Sequence, residues 1–147
     1  MDYTEHRAIV KNIRKETIII DTNVFVNCPD ILDRIDISKQ VIVSAKVIDE
    51  LDKLKLTLND DTKKRNVELA LRNLNRIFNL RSIRMECADL DYLPIDFSRK
   101  KPDNLILSVA LRFRNQNPTL ITSDNGLQLK AKGLEIKTVS LQTILNN

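Results

Sequence analysis

What this chain lacks narrows its chemistry before any motif is considered. Its 147 residues include two glycines, four prolines, two cysteines, one histidine and no tryptophan. So little glycine, with prolines spread singly, excludes a collagen-like or low-complexity chain. Cys28 and Cys87 stand far apart without CxxC spacing, which leaves no thiolate metal cluster and no disulfide framework; both are expected to be reduced. A lone His6 excludes histidine-based zinc chemistry and a Ser/His triad. Aromatic residues make up 4% of the chain, too few for a base-stacking platform. No apolar run is long enough to span a membrane, and the opening Met1-Asp2-Tyr3-Thr4-Glu5-His6-Arg7 is charged rather than signal-like. The expected compartment is the cytoplasm, with no membrane partner.

What is present fits a single domain over 1–147, with residues 1–15 as an N-terminal helical extension that holds a helix around Tyr3–Ile13. Hydrophobic periodicity predicts a strand over 17–21, a helix over about 24–33, a strand over 40–43, and helices over 45–55 and 61–80. A strand over 82–86, a helix over 102–115, a strand over 119–122, a helix over 124–132, a strand over 135–139 and a last turn at Leu141–Leu145 complete the pattern. Strands alternating with helices make the fold class α/β. The longest irregular stretch is Cys87–Lys101, which leads into Pro102.

Four acids occupy unusual places. Asp21 ends the apolar strand Thr17-Ile18-Ile19-Ile20, and carboxyl ends of strands are where open parallel sheets bind ligands; a turn Asp would also suit the position. Glu50 lies on a helix N-capped by Ser44, along the apolar stripe of Val47, Leu51, Leu54 and Leu58, while Asp49 and Lys53 point away. A buried unpaired carboxylate is costly, so an acid in that slot calls for a cation. A helix-edge Glu whose head reaches water is the ordinary alternative. Asp103 projects onto the stripe of Ile106, Val109, Ala110 and Phe113, although the first helical turn welcomes an acid in any case. Asp124 follows the strand Leu120-Ile121-Thr122 and precedes a helix stopped by Gly133, where N-capping is the plain explanation. Together the four can meet at one edge of a sheet. With cysteine and histidine chemistry excluded, oxygen ligands remain, and these select magnesium or manganese.

The segments Ile20-Asp21-Thr22-Asn23-Val24-Phe25, Val47-Ile48-Asp49-Glu50-Leu51-Asp52, Pro102-Asp103-Asn104-Leu105-Ile106 and Thr122-Ser123-Asp124 resemble, in order and spacing, the four motifs of PIN domains. The resemblance covers nearly the whole chain and looks closest to PIN domains of the PhoH-associated and decay-factor type, with PIN toxins of toxin–antitoxin pairs a second neighbourhood. It implies a three-layer α/β/α fold with a central, mostly parallel sheet. It also implies a metal-dependent endoribonuclease acting on single-stranded RNA, with Asp21, Glu50, Asp103 and Asp124 as the catalytic, metal-holding acids and Mg2+ or Mn2+ as cofactor. Where some members carry another acid two residues beyond the last motif Asp, this chain has Gly126, one ligand fewer for a second ion.

A divalent ion lowers the pKa of water and neutralises charge on a phosphate, which is what hydrolysis of a phosphodiester needs. Thr22, Asn23 and Ser123 can supply supporting hydrogen bonds, and turn and capping roles are equally ordinary for them. Mutual repulsion among the acids is expected to raise at least one carboxylate pKa. The net charge of +4 is consistent with a cationic track for nucleic acid. Arg99, Lys100 and Lys101 precede Asp103, Lys130 and Lys132 follow Asp124, and Lys63 and Lys64 open the long helix, so these are the candidate phosphate contacts. On that helix Arg65, Arg72 and Arg76 face away from a core stripe of Val67, Ala70, Leu71, Leu74 and Phe78. DNA in place of RNA, an antitoxin, a larger RNA-processing assembly and a homo-oligomer all stay open as partners. The rival reading is a catalytically silent PIN fold serving as an RNA- or protein-binding adaptor.

Overall fold

A computed structural model describes residues 16–147; the extension expected over 1–15, with His6 in it, lies outside the described residues. β1 (Thr17–Ile20) is β-branched throughout, which suits a pleated surface, and all four of its residues are buried. β2 (Gln40–Ser44) and β4 (Pro118–Ile121) flank it and are likewise buried along their length. β3 (Ile83–Glu86) and β5 (Lys137–Val139) form the edges and carry the exposed residues. The order is β3-β2-β1-β4-β5, parallel throughout, with Ile19 opposite both Ile42 and Leu120.

Among the described residues there are six helices: α1 (Thr22–Asn27), α2 (Ala45–Thr57), α3 (Asp61–Ile77), α4 (Pro102–Arg112), α5 (Asn125–Gly133) and α6 (Leu141–Leu145). α1, α2 and α3 pack on one another, while α4 packs against α2, β4 and α5. The result is a three-layer α/β/α sandwich whose core includes Ile19, Ile42, Leu51, Leu107, Leu120 and Leu127. From β1 the chain builds outward through β2 and β3 on one side and β4 and β5 on the other. The carboxyl ends of β1 and β4 therefore flank a topological switch point, where a crevice opens in sheets of this kind. Among the described residues no helix is long and apolar enough to cross a membrane.

Several elements differ from expectation for identifiable reasons. The helix expected over 24–33 stops at Asn27, because Pro29 lacks an N–H and forces Cys28 out of helical geometry (φ −146°, ψ 79°); Ile31–Arg34 resumes as a 3-10 turn. The helix expected to reach 115 ends at Arg112, where a 3-10 turn and a left-handed Asn117 (φ 53°) deliver the chain to Pro118. α3 ends at Ile77, and Ile77 rather than Phe78 completes its buried stripe with Val67, Ala70 and Leu74. Both positions lie within one turn of Leu74, and the helix is rolled so that the branched aliphatic residue goes inward.

Candidate functional site

Asp21 is the hinge of the site. It caps α1 immediately after β1 and is only 7% exposed. Its Oδ1 accepts the Thr22 amide at 2.8 Å and its Oδ2 accepts the Thr122 hydroxyl at 2.8 Å. Thr122 sits just beyond β4, so this bond closes the crevice between the two central strands. The Thr122 hydroxyl also accepts the Asp124 amide at 3.1 Å, which fixes the backbone of Asp124 beside that bond. Glu50, on α2, accepts the Thr22 hydroxyl on Oε1 at 2.8 Å. It is half-buried beside Val47 and Leu51, while Asp49 and Lys53 are exposed, as the stripe predicts.

Burial pushes the Asp21 carboxyl up to about 6; its bonds to Thr122 and Thr22 pull the other way, and the charges of Asp103 and Glu50 add to the rise. Desolvation therefore leads, and the repulsion expected from sequence is the smaller cause. Asp103 lies in the first turn of α4, with its Oδ2 3.8 Å from Lys101 Nζ. Asp124 is exposed and caps α5, its Oδ1 accepting the Leu127 amide at 2.8 Å. Capping is thus part of what Asp124 does, and its Oδ2 makes no hydrogen bond among the described residues.

Among the described residues, no three Asp, Glu, His or Cys side chains are drawn together as a finished metal-ligand cluster. The donor chemistry nevertheless fits a hard divalent cation. Every candidate ligand is a carboxylate oxygen, and no Lys or Arg among the described residues reaches ion-pair distance of Asp21 or Glu50. Magnesium commonly keeps several waters and is bound through one or two carboxylates, so a closed cage is not required.

The supporting and basic residues divide. Thr22 joins Asp21 to Glu50 as described, whereas Asn23 is exposed and the Ser123 hydroxyl accepts the Leu141 amide at 3.2 Å, holding α6 instead of the acids. The Arg99 guanidinium donates to the Leu90 carbonyl at 2.9 Å and so braces its own loop. Lys100 is exposed and Lys101 faces Asp103. Lys63 and Lys64 are exposed in the first turn of α3, and neither forms an ion pair among the described residues. Lys130 turns inward to Asn104, and Lys132, two residues on, falls on the other side of α5 and is exposed.

Sequence reasoning missed Thr122 and Asn104. A threonine at the end of an apolar strand gives no signal beyond β propensity, but a polar Asn beside Asp103 at the head of an apolar helix is a recognisable anomaly. A depression of about 620 Å3 lined by Leu32, Arg34, Ile35, Arg76, Ile77 and Arg81 includes none of the four acids. It is built from the segments that enter β2 and β3, at the amino ends of those strands and so opposite the carboxyl ends that carry Asp21.

Comparison with curated proteins finds no match. Among solved structures, a domain of a functionally unknown protein from Methanocaldococcus jannaschii DSM 2661 is similar to this chain at 20% identity. The similarity covers 84% of this chain and 89% of that one with a TM-score of 0.56, a likeness of fold. A family model described as PIN domain matches residues 18–142, from β1 into α6, and that span contains Asp21, Glu50, Asp103 and Asp124. On that match this chain belongs to the PIN domain family, whose members are usually metal-dependent nucleases.

Proposed function

We propose that this protein is a divalent-metal-dependent nuclease that cleaves single-stranded RNA internally, with Asp21, Glu50, Asp103 and Asp124 as its metal-holding acids and Mg2+ or Mn2+ as cofactor. The observation that carries this reading is Asp21, a buried carboxylate at the switch point, oriented on both oxygens and unpaired with any cation among the described residues. When bound, a divalent ion lowers the pKa of water and neutralises charge on the scissile phosphate. The residues do the positioning. Thr22 and Thr122 lock Asp21 in one orientation, Thr22 fixes Glu50 relative to it, and Thr122 tethers Asp124. The oxygen of water adds to phosphorus and the bond to the 3′-oxygen breaks. One proton of that water ends on the departing 3′-oxygen, leaving a 3′-hydroxyl and a 5′-phosphate. No 2′-hydroxyl takes part, so RNA preference rests on family membership, and DNA is a substrate the chemistry allows.

Lys100 and Lys101, in the loop that leads into Asp103, are the phosphate contacts of this reading, and binding through them should weaken steeply with salt. The adaptor reading has one observation in its favour, the lack of a finished ligand cluster among the described residues. The deciding experiment incubates the pure protein with structured and unstructured RNA and DNA, with manganese and with EDTA, beside Asp21→Asn. Manganese-dependent cleavage of unstructured RNA to 5′-phosphate ends, reduced at least 100-fold in Asp21→Asn, is expected. No cleavage, or equal cleavage by both proteins, would establish the adaptor.

A further inference from the structure

Lys130 differs from every other lysine near the acids. Its ammonium donates to Asn104 Oδ1 at 2.9 Å and lies 5.7 Å from the centre of the Phe97 ring. Asn104 is 1% exposed and is fixed from its other end, where Nδ2 donates to the Ser98 carbonyl at 2.9 Å. The loop 87–101, α4 and α5 thus meet at one amine. Asn104 directly follows Asp103, and α5 is capped by Asp124, so the amine stands beside the site; burial first and then the neighbouring Lys101 ammonium lower its pKa, while the charges of Asp103 and Asp124 oppose that fall. Yet among the described residues no carboxylate lies at ion-pair distance from it, whereas Lys101 pairs with Asp103 at 3.8 Å.

A cation whose one hydrogen-bond partner is a neutral amide keeps its charge available. An ammonium has three N–H donors, and Asn104 takes one of them. Phe97 contributes an attraction for the charge that consumes no acceptor and shields one side of the amine from water. An amine meant only to fasten α5 to α4 would gain more from a carboxylate partner, whose full charge adds Coulombic attraction to the hydrogen bond. At this position a buried asparagine orients the amine without neutralising it and leaves the acids free for a metal.

We infer that Lys130 is a pre-positioned phosphate ligand of the active site, gripping a backbone phosphate of the nucleic acid at the acids, and that Asn104 and Phe97 are the residues that position it. This deepens the nuclease reading and rests on it for the location of the phosphate, but binding can be measured without catalysis.

The test compares wild type with Lys130→Met, which keeps the stem on Phe97, and Lys130→Gln, which keeps an N–H donor for Asn104 but carries no charge. Lys130→Arg restores charge. Binding of a fluorescent single-stranded RNA oligonucleotide is measured in EDTA across a salt series, with melting curves for each protein and single-turnover cleavage in manganese. Loss of one phosphate contact lowers the slope of log K against log salt by about 0.7. That loss is expected in Lys130→Met and Lys130→Gln at near-wild-type melting temperature, with recovery in Lys130→Arg and a cleavage rate roughly 10- to 100-fold lower in the uncharged variants. If wild type binds RNA with the larger slope but cleaves nothing, the nuclease reading falls and the phosphate-ligand inference stands. If wild type cleaves while Lys130→Gln matches it in slope and rate, Lys130 is a fastener and the inference is overturned. A wild type that neither binds nor cleaves overturns both. Should Lys130→Met melt early, Lys130→Gln decides alone.

Discussion

Asp21 is held between burial, which favours its neutral form, and two hydrogen-bond donors, which favour its charge. Burial prevails, and the carboxyl sits at about 6 against an ordinary 3.8. The sign of the consequence follows from linkage. A folded state with a raised acid pKa binds more protons than the unfolded chain between those two values, so stability falls as pH climbs through that window. Metal-free wild type should therefore lose roughly 1.4 kcal/mol more than Asp21→Asn between pH 5 and pH 7.5, since one pK unit corresponds to about that energy. Urea denaturation in EDTA at the two pH values measures it, and parallel losses in both proteins would remove burial of a charged Asp21 as a cost. Thr122→Val should carry the transition to higher pH, because the Thr122 hydroxyl is the strongest of the groups pulling Asp21 down. Nothing in the sequence announces that hydroxyl. Thr122 reads as one more strand residue until β4 is laid beside β1, and the contact spans a sequence separation of 101.

At the scale of elements, local chemistry wrote most of the boundaries. Ser44 caps α2 through the Lys46 amide at 3.2 Å, as its place before an apolar-periodic run predicts. Pro29 ends what periodicity alone would have continued. The end of α5 is where a rule of composition misled. Gly133 is the natural stop signal, and the helix does end there, yet its φ is not positive; Glu135 takes the left-handed conformation at φ 62°. The bonds from Ile136 N to Ala131 O at 2.8 Å and from Glu135 N to Lys132 O at 3.0 Å define a Schellman cap with Glu135 at its left-handed position. A side chain with a Cβ resists that conformation by about 1–2 kcal/mol. Glu135→Gly should accordingly stabilise the protein by about 0.5–1 kcal/mol after the entropy of a freer unfolded chain is subtracted. Chemical denaturation reads this directly; destabilisation would mean that the Glu135 side chain contributes something the cap geometry does not show. The cap matters to the site because α5 carries Lys130, one turn before its end.

At the scale of the whole molecule, the parallel sheet brings together residues that sequence could list but not join. That Asp21 and Asp124 follow neighbouring strands was legible from apolar runs and the resemblance. How Thr22 reaches Glu50, and how Asn104 reaches Lys130, was not, because each contact crosses between elements whose mutual rotation is set by packing. Asp103 tests whether the assembled acids act as one site. Its charge adds to the rise of the Asp21 pKa, so in the metal-free protein it contributes repulsion, and its own pairing with Lys101 is long at 3.8 Å, with the lysine exposed, and returns little. Asp103→Asn should therefore raise the metal-free melting temperature by about 2–4 °C, the shift that roughly 1 kcal/mol produces in a domain of this size. Manganese stabilises whatever form binds it, by an amount set by concentration over dissociation constant. If Asp103 shares in coordination, the same substitution must shrink the further rise that manganese gives wild type. The two effects have opposite signs in one protein, which a general loss or gain of packing cannot mimic. A melting temperature that stays put, with the full manganese increment retained, would show that Asp103 stands apart from the other three acids.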